Sequence, residues 1–243
     1  MGDKSFVIMV SVLGLFCFSC GDLKKGEPSS LRRIIGNNDL QPVFKTSGLE
    51  EITGAVGLMA LGCTASHIGN GFVLSAGHCF TKQRMPGKLE DIPCSYSRHS
   101  ITWDKTIDSD QNLKSECQEV IVLEHNSERD YALFRVSPIP EEYLSISEFT
   151  GEVGEQISIF SHPRKRPLEW SNWCEIESTL EKSNDFQFLY SCDTEGGSSG
   201  AAVLNENFKI IGIHNFYNSQ SNRNGATFIH KTEIPQILAS LTE

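Results

Sequence analysis

The chain reads as an all-β protein of antiparallel strands, a sandwich or barrel, on three observations. Short apolar runs rich in Val, Ile and Phe recur along it, Gly, Asn, Ser and Pro separate them, and helical periodicity is confined to the C-terminus. At 243 residues, 39% hydrophobic and 21% charged, it can bury a sizeable core as one medium or two small domains. The same composition excludes disorder, coiled coil and collagen.

From the N-terminus, Lys4 precedes a 13-residue apolar stretch, Phe6 to Phe18. That stretch is short for a bilayer span and reads as part of a signal peptide over residues 1–20. Ser19-Cys20 resembles the end of a bacterial lipoprotein signal, although Cys17 stands where such signals usually carry Leu. Cys20 is therefore a candidate for lipidation, with plain cleavage near residue 20 as the alternative. Either way the protein is expected to be exported: secreted, periplasmic or tethered to a bacterial outer membrane, with a lipid on Cys20 as its one membrane contact. Residues 21–33, ending in Arg32-Arg33, read as a spacer or propeptide, and residues 34–243 as the folded domain.

Setting aside Cys17 and Cys20 leaves six of the eight cysteines: Cys63, Cys79, Cys94, Cys117, Cys174 and Cys192. An even number in an exported chain indicates three disulfides, pairing of sequence neighbours being the simplest arrangement. Zinc is the weaker reading, since no C-x-x-C pair and no clustered histidines support it. Strands are expected at Phe72-Val-Leu74, Val120-Ile-Val-Leu123, Tyr131-Ala-Leu-Phe-Arg-Val136, Ile157-Ser-Ile-Phe160, Ile210-Ile-Gly-Ile213 and Ala226-Thr-Phe-Ile229. A Gly-containing turn at residues 150–154 separates two halves. A helix is expected over about residues 232–242, with Thr232 as its N-cap and Ile234, Ile237, Leu238 and Leu241 on one face.

Formal charge is −10, and −12 without residues 1–33, which hold five basic and three acidic residues. Nucleic-acid binding, which needs clustered Lys and Arg, is excluded as a general function. Three motifs carry chemistry. His78, in Ser75-Ala-Gly-His-Cys79, follows a strand end and adjoins a cysteine, so its backbone is held as a general base requires; the bland reading is a surface or core histidine. Gly197-Ser-Ser-Gly200 reads either as a flexible turn or as a hydroxyl on a tight turn whose inward amides form an oxyanion hole. Asp130 opens a strand, as a turn acid or as the carboxylate that fixes a histidine's tautomer.

Joined in the order His, Asp, Ser, these motifs resemble the chymotrypsin-fold serine peptidases, and within them the bacterial glutamyl endopeptidases. The resemblance runs through Ile34-Ile-Gly-Asn-Asn-Asp39, Ser75-Ala-Gly-His-Cys79, Asp130-Tyr-Ala-Leu133, Asp193-Thr-Glu-Gly-Gly-Ser-Ser-Gly200, Ile211-Gly-Ile-His214 and Gly225-Ala-Thr-Phe-Ile229. It implies two six-stranded antiparallel β-barrels, about residues 34–150 and 151–231, with the site between them and a C-terminal helix. It also implies a disulfide between Cys63 and Cys79 beside the catalytic histidine. His78 would be the base, Asp130 its orienting acid, Ser199 the nucleophile, and the amides of Gly197 and Ser199 the oxyanion hole. Protein or peptide substrates follow, with no cofactor or metal in the chemistry and a monomer expected.

Arg32-Arg33 before Ile34 resembles an activation cleavage site, and the similarity implies that the freed Ile34 amine helps bind an acidic substrate side chain. Ser198 stands where trypsin-like enzymes carry the aspartate that pairs with that amine. Thr194 and His214 match the acid-recognising positions, where a hydroxyl and an imidazole can donate to a carboxylate. Asp193, however, falls where trypsin-like enzymes place the aspartate that attracts Lys or Arg. An anion repels a bound carboxylate, so Asp193 must turn into the protein or invert the preference. Cleavage after Glu or Asp is the expectation; Lys/Arg preference and a non-catalytic binding module of the same fold are the alternatives. Asn215-Phe-Tyr217 is bulkier than the glycine-bearing stretch usual after the pocket histidine. Ala201-Ala202 likewise replaces a small residue followed by Pro.

Overall fold

The computed structural model describes residues 32–85, 87–94, 96–109, 112–180 and 186–241. The expected signal peptide with Cys20, and all but the end of the spacer, lie outside the described residues. Six strands close the first barrel: β1 (Val56–Met59), β2 (Thr64–His67), β3 (Phe72–Ser75), β4 (Ile101–Trp103), β5 (Lys114–His125) and β6 (Asp130–Ser137). Six more close the second: β7 (Gln156–Ser161), β8 (Cys174–Thr179), β9 (Gln187–Tyr190), β10 (Ala202–Asn205), β11 (Ile210–Asn218) and β12 (Arg223–Phe228). Pairing runs β1-β2-β3-β6-β5-β4 and back to β1, and β7-β8-β9-β12-β11-β10 and back to β7. The two barrels therefore share one antiparallel topology. Lys88–Pro93 adds to the first along β5, Glu169–Trp170 adds to the second along β7, and Gln41–Pro42 pairs with Glu169–Trp170 outside it.

The apolar runs are continuous because strand residues alternate between two buried layers. On β3 and β6, Val73, Ala132 and Phe134 fill the first barrel, while Leu74, Tyr131 and Leu133 face the layer between barrels. On the other side, Val203 and Ile211 fill the second barrel, while Ala202, Leu204, Ile210 and Ile213 join the shared layer. Packing of both barrels against one layer fixes the loops at their junction.

The C-terminal helix spans Ile234–Leu241. Thr232 Oγ1 accepts the Ile234 N–H at 3.2 Å, and Ile234, Ile237 and Leu238 pack on the shared layer. Leu241, expected on that face, is instead 44% exposed at the helix end. The three disulfides are Cys63–Cys79, Cys94–Cys117 and Cys174–Cys192, the pairing of sequence neighbours. Among the described residues no helix is long and apolar enough to cross a membrane.

Candidate active site

His78 sits in the 3-10 turn Gly77–Cys79 directly after β3, held by the Cys63–Cys79 bridge. The turn packs so closely that a Cβ on Gly77 would lie 2.1 Å from the Glu124 carbonyl oxygen. Asp130, the first residue of β6, is buried beside it. Its Oδ1 accepts the His78 backbone N–H at 2.9 Å, and its Oδ2 lies 2.6 Å from His78 Nδ1. Both oxygens thus serve one histidine, one aiming its backbone and one its ring. Asn215 Nδ2 donates to the Asp130 carbonyl at 2.8 Å and to Thr227 Oγ1 at 2.7 Å, tying β6 to the second barrel.

The Gly197–Gly200 turn reaches the same corner from the second barrel. Gly197 has φ +106°, and a Cβ there would lie 2.7 Å from the His162 carbonyl oxygen; Gly200 has φ +88°, and its Cβ would meet Ser75 Oγ at 2.2 Å. Only glycine suits either place. Thr64 of β2 clasps the turn. Its N–H donates to the Ser199 carbonyl at 2.9 Å, its hydroxyl donates to the Gly197 carbonyl at 2.9 Å and accepts the His162 N–H at 3.0 Å, and its carbonyl accepts from Ser75 Oγ at 2.8 Å. Gly200, next to Ser199, therefore stands against Ser75 and Ala76, at the end of the strand that leads into His78.

Ser198 Oγ is buried 2.9 Å from Ser161 Oγ. Glu195 is buried between Arg166, at 2.6 Å, and Arg164, at 3.3 Å. Asp193 turns toward the N-terminal segment: Oδ1 accepts the Ile35 N–H and Oδ2 the Asp39 N–H, each at 2.7 Å. Burial raises its pKa, while these two amides pull the other way. Thr194 is fully buried, and its hydroxyl has no hydrogen-bond partner among the described residues. His214 is buried with Nδ1 2.6 Å from the Tyr190 hydroxyl; burial pulls its pKa down to about 3, so the ring is neutral near pH 7.

Residues 34–39 continue from the strand Arg32–Arg33, which pairs antiparallel with Thr194–Glu195. The Arg33 carbonyl accepts from Asn224 Nδ2 at 2.8 Å, and its guanidinium lies 4.6 Å from the centre of the Tyr217 ring. The expected site residues therefore gather in two places, His78 with Asp130 and the Gly197–Gly200 turn at the barrel junction, and Ile34, Asp193, Thr194 and His214 around the neighbouring strands. Thr64, Asn215, Tyr190 and Asn224 join the site with no sequence signal for these contacts. Their partners are 133, 85, 24 and 191 residues away in sequence, so no local motif marks them.

A trypsin-like peptidase domain model matches residues 63–213, more than half of the chain. The protein belongs to the trypsin-like peptidase family. As a member it is a serine endopeptidase, a hydrolase acting on protein or peptide substrates. A solved structure described as Glu endopeptidase in complex with MPD is similar in fold, with a TM-score of 0.66 over 86% of this chain and 100% of that one, at 19% identity. This trypsin-like peptidase has no significant match among curated protein sequences.

Proposed function

We propose that the protein is an exported endopeptidase that cleaves after Glu or Asp, with Ser199 as nucleophile, His78 as general base and Asp130 as its orienting acid. The His78–Asp130 pair supports the roles of both. With Nδ1–H donated to Asp130, the other ring nitrogen is left as the lone pair that takes the serine proton, and the carboxylate stabilises the imidazolium. Ser199 Oγ attacks the scissile carbonyl, the imidazolium protonates the leaving amine, and water then hydrolyses the acyl-enzyme by the same base. The Gly196 carbonyl accepts the Arg164 N–H at 2.6 Å. In a planar trans peptide the Gly197 N–H points the opposite way, away from Arg164, as an oxyanion donor needs.

The observation that carries acidic specificity is the orientation of Asp193. Both of its oxygens accept backbone amides of residues 35 and 39, so its acceptors are turned away from an incoming Lys or Arg. The unpartnered Thr194 hydroxyl and the neutral His214 ring offer donors to a carboxylate instead. Cleavage after Arg33 frees an α-ammonium at Ile34, one residue from the amide that Asp193 holds, adding positive charge beside Thr194. Ser198 is neutral and bonded to Ser161, so it offers that ammonium no ion pair of the trypsin type. Three disulfides support an extracellular or periplasmic location, and the signal and candidate lipid site at Cys20 belong to the same reading.

The test is to treat the matured protein and its Ser199→Ala variant with a fluorophosphonate, then assay peptides that differ only before the scissile bond. Labelling of the wild type alone, with Glu peptides cleaved at least about tenfold faster than Gln or Lys peptides, is expected from a charge-assisted contact. Preference for Lys or Arg overturns the specificity. No labelling of the matured wild type overturns the catalytic assignment.

A further inference from the structure

Tyr190 lies at the end of β9, fully buried, and its ring packs 5.7 Å from Phe188. Its hydroxyl has two acceptors within reach: His214 Nδ1 at 2.6 Å and the Gly225 carbonyl at 3.4 Å. The phenol keeps its proton, because burial raises its pKa well above the ordinary value. That proton needs an acceptor in a dry site, and Nδ1 is the nearer by 0.8 Å. A neutral imidazole has one N–H, so a ring that accepts at Nδ1 carries its hydrogen on Nε2. We propose that Tyr190 is a positioning residue for specificity: by donating to Nδ1 it holds His214 in the Nε2–H form, which makes the ring a donor to a substrate carboxylate. The role rests on the reading that Thr194 and His214 receive the acidic side chain.

Removing the hydroxyl reverses the chemistry of the ring and leaves its packing in place. In Tyr190→Phe, Nδ1 keeps one neighbour, the Gly225 carbonyl at 3.1 Å, which can only accept. Nδ1 must then donate, and Nε2 presents a lone pair that repels a carboxylate and accepts from an amide. The variant therefore shifts preference from Glu toward Gln, an outcome that simple loosening of the pocket does not produce.

The experiment has two independent readouts on the full chain after maturation. Long-range proton–nitrogen NMR of labelled protein, with His214 assigned by comparison with His214→Ala, reports which ring nitrogen carries hydrogen near pH 7. Paired peptides with Glu or Gln before the scissile bond report selectivity. The wild type should show Nε2–H, and Tyr190→Phe should show Nδ1–H with the Glu-to-Gln ratio of kcat/KM reduced at least about tenfold. An Nδ1–H ring in the wild type overturns the proposal without any use of the variant, and so does a variant whose tautomer is unchanged. Nε2–H in a wild type that has no Glu preference defeats the acidic-specificity reading and Tyr190's part in it, while the Tyr190–His214 bond stands. A flipped tautomer with an unchanged Glu-to-Gln ratio overturns Tyr190's part alone.

Discussion

Asp130 holds His78 by two bonds of different kind, 2.9 Å to the backbone N–H and 2.6 Å to the ring. An asparagine keeps the volume and one oxygen but turns the other acceptor into a donor. If its oxygen stays on the backbone N–H, its amide faces Nδ1 and forces that nitrogen to accept. The lone pair that should take the serine proton is then lost from the other nitrogen. Asp130→Asn is therefore expected to lower kcat by about 10⁴-fold with KM nearly unchanged, the pattern of a wrong tautomer in intact geometry. Steady-state kinetics checks this. A loss below tenfold would mean that the pair does not govern the chemical step.

At the scale of the element, β2 works as a clasp. Its residue Thr64 bonds the Ser199 carbonyl through its backbone and the Gly197 carbonyl and His162 amide through its hydroxyl. Thr64→Val keeps the first contact and leaves two buried backbone groups without partners. A loss of about 2 kcal/mol or more is expected, read as a lower urea midpoint, together with reduced kcat as the turn loosens; Thr64→Ser should restore most of both. This strand also explains what the sequence hides. Thr64, Ser66 and His67 of β2 are all buried, yet they are polar, and partners distant in sequence or in loops satisfy two of them: Thr64 bonds Gly197 and His162, while His67 Nδ1 lies 2.6 Å from the Glu142 carbonyl and Nε2 accepts the Gly71 N–H at 3.2 Å; the Ser66 hydroxyl has no partner among the described residues. Lys88–Pro93 is mostly exposed on both faces and shows no alternation. Neither strand has an apolar run to announce it, and the short helix Glu50–Ala55 has too few turns for a period. By contrast β6 and β11 were legible, since packing on two layers makes them apolar throughout their buried stretch. His78, Asp130 and Ser199 were legible for another reason: each carries its own local setting of strand end, cysteine or glycine turn.

Across the whole molecule, burial keeps histidines neutral at points far apart in the fold. His99 and His162 are both pulled down to about 4 and His214 to about 3, with burial the largest cause in each and the Arg98 charge adding to it at His99. The unfolded chain binds protons at these histidines from about pH 6.5 downward, and the folded chain does not until well below that. Between those values the unfolded state holds more protons, so stability falls as pH falls. Asp193, raised by burial, acts in the opposite direction over its own range. One histidine must therefore be read by difference. His162 is fully buried, with Nδ1 3.0 Å from the Arg166 carbonyl, and its ceiling over this range is about 3 kcal/mol. Urea unfolding of wild type and His162→Gln at pH 7 and pH 4.5 should give a variant that is less stable at pH 7 but loses less on acidification. Equal losses in the two proteins would mean that His162 takes up its proton without opening the barrel junction.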